Sequence, residues 1–255
     1  MKTLGIIGFG NFGRFAARHL KGHFDVLAFD QSDIGLEATE IGVKSASLKH
    51  AAGCDVVLLC VPVQNMEAVL TQIKTHLKSG AVVLDVCSVK QKPAALMQEL
   101  LPKTASIIGT HPLFGPQSGQ GGIQGLEIVL CPVRAEKRTV EKTRSFLRDS
   151  LGLRVLDMTP AEHDGWMART QALAHFVGRA AKEMDLSEAP FHLATYDALL
   201  KLRDLVKDDS DALFDTIQNE NADAAKQRRR LVEKMNEIEK RVSQPKRQAS
   251  AKRTI

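Results

Sequence analysis

At 255 residues, with 44% hydrophobic and 25% charged side chains, the chain is long enough for one large or two smaller domains and has an ordinary globular composition. No apolar run approaches a bilayer span, and the N-terminus enters a strand pattern without a signal-peptide h-region, so a soluble, cytoplasmic protein is expected. The net charge of +5 misleads: from Lys226 onward eleven basic residues face three acidic ones, whereas the remainder carries 24 basic against 27 acidic, so nothing in the body suggests a nucleic-acid stripe.

Apolar runs at 4–9, 24–30, 54–62, 81–86, 105–109, 126–132 and 153–158 read as strands, several without alternation, as for strands covered on both faces. Helical stretches lie between them, at 11–22, 64–80 and 142–152, each closed by a glycine. This alternation predicts an α/β fold: a Rossmann-type, doubly wound sheet over residues 1–158. After Met158 the pattern turns all-helical. The segment from Thr159 to Met184 reads as one helix, with Thr159 as cap, Pro160 in the first turn and Glu162 three residues on, and two further helical stretches follow. The expected organisation is a helical domain over 159–243 and a basic, disordered tail over 244–255. The four cysteines have no CxxC spacing, which points to free buried thiols in a reducing compartment and gives no metal site.

The sequence Gly8-Phe9-Gly10-Asn11-Phe12-Gly13 is G-x-G-x-x-G after a strand and opening a helix. Gly8 suits the tight turn, Gly10 the close approach of a pyrophosphate, and Gly13 the packing of helix on strand. Helix N–H groups at such a start favour anions. Asp30 closes the second strand, where a carboxylate accepts from ribose hydroxyls and repels a 2′-phosphate, so NAD is expected rather than NADP. Asn11 and Phe12 in the motif, with Val61 and Pro62 at the end of the 54–62 strand, complete the candidate cofactor contacts.

Two later strand ends carry polar residues: Ser88 and Lys90 in "LDVCSVK", and His111 in "IIGTHP". Ligands of open parallel sheets bind beyond the carboxyl ends of the strands, where both clusters fall. Pro112 biases His111 toward extended geometry and so aims the imidazole, a group that can take a proton near neutral pH. On the first helix of the second part, Asp164, Ala168, Gln171 and His175 share one stripe at helical spacing, with room for a pocket beside it or, equally, the pattern of a partly exposed helix face.

Together "GFGNFG", "SVK", "THPLFGPQSG" and "EHDGWMARTQALAHF" resemble the prephenate/arogenate dehydrogenase family of tyrosine biosynthesis, in the family's order and over residues 5 to about 180. The resemblance implies NAD-dependent oxidative decarboxylation of a cyclohexadienol, with His111 taking the hydroxyl proton and Ser88 bonding that hydroxyl or orienting His111. It implies Lys90 near the substrate's negative charge and His175 touching the substrate from the helical part, with Gln171 as a further contact. It also implies a homodimer through the helical domain; with no β-containing pattern after the helices, no separate effector domain is expected. Gln117 stands where the family often has an acid, and Leu113 where Met is common. Prephenate-preferring members carry a carboxylate-gripping arginine; Arg203 is nearest, in loose register with Asp204. Its loss would favour arogenate, with Asp164 as partner of the amine. Two other readings compete: a β-hydroxyacid or imine reductase, which would place a lysine on the long helix where this chain has only the late Lys182, and an NAD(H) sensor without turnover.

Overall fold

A computed structural model describes residues 1–243, and the expected tail over 244–255 lies outside the described residues. Eight strands form one sheet: β1 (Thr3–Ile7), β2 (Asp25–Phe29), β3 (Lys44–Ser45), β4 (Val56–Leu59), β5 (Val82–Asp85), β6 (Ser106–Pro112), β7 (Glu127–Arg134) and β8 (Arg154–Asp157), in the order β3-β2-β1-β4-β5-β6-β7-β8. The first six run parallel; β7 is antiparallel to β6, and β8 follows β7. The order reverses between β1 and β4, which opens the crevice where a doubly wound fold binds its ligand.

Around the sheet lie α1 (Asn11–Leu20), α2 (Gly35–Ile41), α3 (Leu48–Ala52), α4 (Val63–Ile73), α5 (Gln91–Leu100) and α6 (Lys137–Ser145), the last continued by a π-helical turn, Phe146–Ser150. Helices α4 and α5 cover one face through Met66, Leu70, Ile73 and Met97, all fully buried. Each such side chain contributes about 1.5–3 kcal/mol. Helices α1 and α2 cover part of the other face.

The helical part comprises α7 (Pro160–Arg169), α8 (Gln171–Glu183), α9 (Ala194–Val206), α10 (Asp211–Asn219) and α11 (Ala224–Ser243). Three points differ from the sequence expectation. The β3 strand is two polar residues long and carries no apolar signal. The strand through His111 runs to Pro112, so His111 lies inside the ladder, opposite Val129. The single helix expected over 159–184 is two, broken at Thr170 (φ −113°, ψ −81°), whose hydroxyl donates to the Trp166 carbonyl at 2.8 Å. Such back-bonding bends helices. The start of α7 is as expected: Thr159 and Glu162 close a reciprocal capping box.

The helical part is pinned to the carboxyl end of the sheet. Gln64 at the start of α4 donates to Thr216 at 3.0 Å, and Lys92 on α5 pairs with Glu220 at 2.6 Å.

Candidate active site

The glycine loop has the shape that a dinucleotide phosphate needs. Gly8 sits at φ +94°, where a Cβ would also lie 2.5 Å from the Cys60 carbonyl oxygen; at Gly13 it would lie 2.1 Å from that of Gly8. At Gly10 no atom comes within 4 Å of the same position, so the backbone is open to a ligand there. Helix α1 begins on Gly10 with no side-chain cap and no acid in its first turn, which leaves its N–H groups to an anion. Asp30 is tied to the loop, accepting from Phe9 N at 2.6 Å and from Ser32. Partial burial pushes its pKa up, but the Phe9 and Ser32 hydrogen bonds outweigh this and hold it below the usual carboxylate range. Val61 packs against the turn at Gly8, and Pro62 precedes α4. Phe12 is the exception among the expected contacts: its ring turns into the core against Phe15, and only its backbone faces the helix start. Asn11 accepts from Arg14. Taken together, these features fit a dinucleotide.

Beyond β5 and β6 a chain of three side chains runs into the protein. His111 Nδ1 lies 2.8 Å from His163 Nε2, and His163 Nδ1 lies 2.8 Å from Asp164 Oδ1. All three are buried. Asp164 also accepts from Lys90 N at 2.7 Å and Gln91 N at 2.9 Å, so its carboxylate caps α5 from a different element. With two backbone donors aimed at it, Asp164 is an acceptor, and His163 must donate to it from Nδ1. His163 Nε2 is then the lone-pair nitrogen and accepts from His111 Nδ1–H. This tautomer assignment follows from the partners and leaves His111 Nε2 with its lone pair. Burial, then the neighbouring His163, Lys90 and His175, push the His111 pKa well below its ordinary 6.5. The ring is thus neutral and able to accept a proton.

This arrangement revises three sequence-based placements. Lys90 does not reach a substrate: it is fully buried, its ammonium paired with Asp85 beneath Gly109. Asp164 does not face an amine, because both its oxygens are taken and the break at Thr170 separates it from the stripe continued on α8. Arg203 is held by the Leu186 carbonyl and by Asp204. His163 was not singled out in the sequence; the signal was the His-Asp pair opening a helix that follows the last strand.

Gln171 and His175 remain on one stripe of α8, and His175 faces the α9–α10 connection. His175 Nδ1 is 3.1 Å from Asp209 Oδ2 but out of line for a hydrogen bond. Gln171 Oε1, His175 Nδ1 and Asp209 Oδ2 are all buried without a partner among the described residues. Native structures pair nearly all such atoms, so this set is aimed at something polar. Nearby, Gln117 of the glycine-rich loop donates to Asp208 at 2.9 Å, joining that loop to the same connection. Ser88 is partly exposed in the turn after β5, the strand beside β6. Lys182 lies at the exposed end of α8 and donates to the Lys207 carbonyl in the same α9–α10 connection.

Among the described residues no helix is long and apolar enough to cross a membrane, and no group of His, Cys, Asp and Glu is placed to hold a metal.

A family model described as "Prephenate dehydrogenase, nucleotide-binding domain" matches residues 16–156, more than half of the chain. Arogenate dehydrogenase 1, chloroplastic, of Arabidopsis thaliana is 36% identical over 83% of this chain, and arogenate dehydrogenase 2, chloroplastic, of the same plant is 34% identical over 89%. The chain spans only 34% and 66% of the lengths of those two relatives. Two solved structures share the fold: the prephenate dehydrogenase of A. aeolicus in complex with hydroxyphenyl propionate and NAD+ (TM-score 0.74, 19% identity, 95% of this chain and 91% of that one) and Synechocystis arogenate dehydrogenase (0.63, 21%, 94% and 89%). The chain therefore belongs to the prephenate dehydrogenase family, by way of that family's nucleotide-binding domain.

Proposed function

We propose that the protein is an NAD-dependent arogenate/prephenate dehydrogenase and that it prefers arogenate. The observation that carries the activity is the Asp164–His163–His111 chain, which ends in a neutral imidazole with its lone pair on Nε2 at the carboxyl end of the sheet. NAD held by Gly8, Gly10, Gly13, the α1 N-terminus and Asp30 supplies the hydride acceptor. His111 Nε2 takes the proton of the ring hydroxyl as the carbinol becomes a carbonyl, and Asp164 and His163 stabilise the imidazolium that forms. The ring carboxylate leaves as CO2, and aromatisation drives the step. Ser88, in the turn after β5, bonds that hydroxyl in this reading. Residues 1–158 hold the cofactor, and 159–243 close over the substrate.

Support for arogenate comes from the unpartnered set. Asp209 Oδ2 and Gln171 Oε1 are acceptors, and Asp209 carries negative charge toward the ligand. An ammonium group satisfies them; a second carboxylate in that place meets repulsion.

The same reading includes a homodimer. Helix α11 exposes Val232, Met235, Ile238 and Val242 along one stripe, apolar surface that a partner subunit would cover. The four free cysteines fit a reducing, cytoplasmic setting.

The test is NADH formation with each substrate. Arogenate is expected to be used with the higher kcat/KM, and Asp209→Asn to lower that value by about 10–100-fold, as for a lost charged hydrogen bond. No NADH from either substrate would overturn the activity. An unchanged preference in Asp209→Asn would overturn the role of Asp209.

A further inference from the structure

The sheet is incompletely covered on the face away from His111. Alternation along β5 sends Val83 and Asp85 to the α4/α5 side, where both are fully buried. Val82, Leu84 and Val86 point the other way and are only partly buried, although they lie on a central strand. Above them α1 on one side, and α6 with its π-helical turn on the other, flank a half-open cavity of about 380 Å³. Native interiors leave few voids larger than a water molecule, and small-molecule pockets begin at about 300 Å³.

The cavity wall is aromatic and aliphatic, with Phe12, Phe15, Phe24 and Phe146 prominent, and it contains no Asp or Glu. Its full charges are Lys2 and Lys142, both exposed, and neither ammonium has an ion-pair partner among the described residues. Thr110 and Pro112, the neighbours of His111 on β6, also line it, while His111 itself projects from the opposite face of the sheet, to His163. The space is therefore separate from the substrate site but shares a strand with it.

We propose that this cavity binds an amphipathic alkyl monocarboxylate, with its chain along Val82, Leu84 and Phe146 and its carboxylate at Lys2 and Lys142. The apolar wall and the two exposed ammonium groups argue for that class. A cationic amphiphile would meet two like charges, and apolar burial supplies the main driving force for an alkyl chain.

Thermal unfolding in the presence of decanoate below its micellar concentration tests this, since a ligand of the native state alone raises Tm by mass action. Decanoate is expected to raise Tm saturably and decyltrimethylammonium not to do so. Leu84→Trp fills the cavity and abolishes the rise. Lys2→Gln with Lys142→Gln weakens the apparent affinity about fivefold, the scale of an exposed charge contact. In case Leu84→Trp fails to fold, nuclear Overhauser contacts between decanoate methylenes and the Val82 and Leu84 methyls of the wild-type protein give the same answer. No rise in Tm, an equal rise with the cation or in folded Leu84→Trp, or absence of those contacts overturns the proposal.

Discussion

At His111 two requirements meet: the ring must be neutral, and one chosen nitrogen must hold the lone pair. Burial supplies the first and His163 the second. Replacing His163 with Asn leaves the His111 tautomer unfixed, so kcat should fall about 10²-fold while KM changes little, by analogy with the loss of a residue that orients a catalytic imidazole; steady-state kinetics check this. Lys90 is held differently. Its buried pair with Asp85 means that Lys90→Met strands a carboxylate, at a cost of about 3–5 kcal/mol in unfolding free energy. The double change Asp85→Leu with Lys90→Met should recover most of that loss in denaturant titration. The sequence makes His111, Ser88 and the glycines legible because each stands at or just after the carboxyl end of an apolar run. It does not show that Lys90 turns inward, nor that Asp164 is used up by two backbone donors, since neither burial nor a partner 74 residues away is a local property.

Among the elements, the strands were readable from their apolar runs, and the exceptions have physical causes. β3 is too short and polar to signal itself. The reversal of β7 follows from a hairpin-like return over the loop at 113–126, and periodicity is blind to strand direction. The break at Thr170 hides inside unbroken helical spacing, and it is this break that parts Asp164 from Gln171 and His175. For the glycine loop, Gly13→Ala forces a Cβ onto the Gly8 carbonyl; α1 must shift off β1, and NAD affinity should fall at least tenfold by fluorescence titration. For the dimer proposed through α11, the pair Met235→Glu and Ile238→Glu should leave a monomer in sedimentation velocity where the wild type sediments as a dimer; an unchanged sedimentation coefficient would contradict an interface on α11.

For the molecule as a whole, the fold places one acceptor nitrogen at the seam between sheet and helices, and its stability carries the mark of that choice. In the native state the His111 pKa lies well below 6.5, whereas in the unfolded chain it returns to about that value. The unfolded chain therefore binds the proton more readily, so this contribution to stability is present above pH 6.5 and declines as pH falls below it, by up to about 1.4 kcal/mol per pH unit. His111→Asn should flatten that part of the acid-unfolding curve. The most direct test of the catalytic account is the turnover of His111→Asn with arogenate and NAD, followed by NADH absorbance. The expected result is a fall in kcat of about 10³-fold with NADH affinity unchanged; a variant that still turns over at nearly the wild-type rate would show that another group takes the hydroxyl proton.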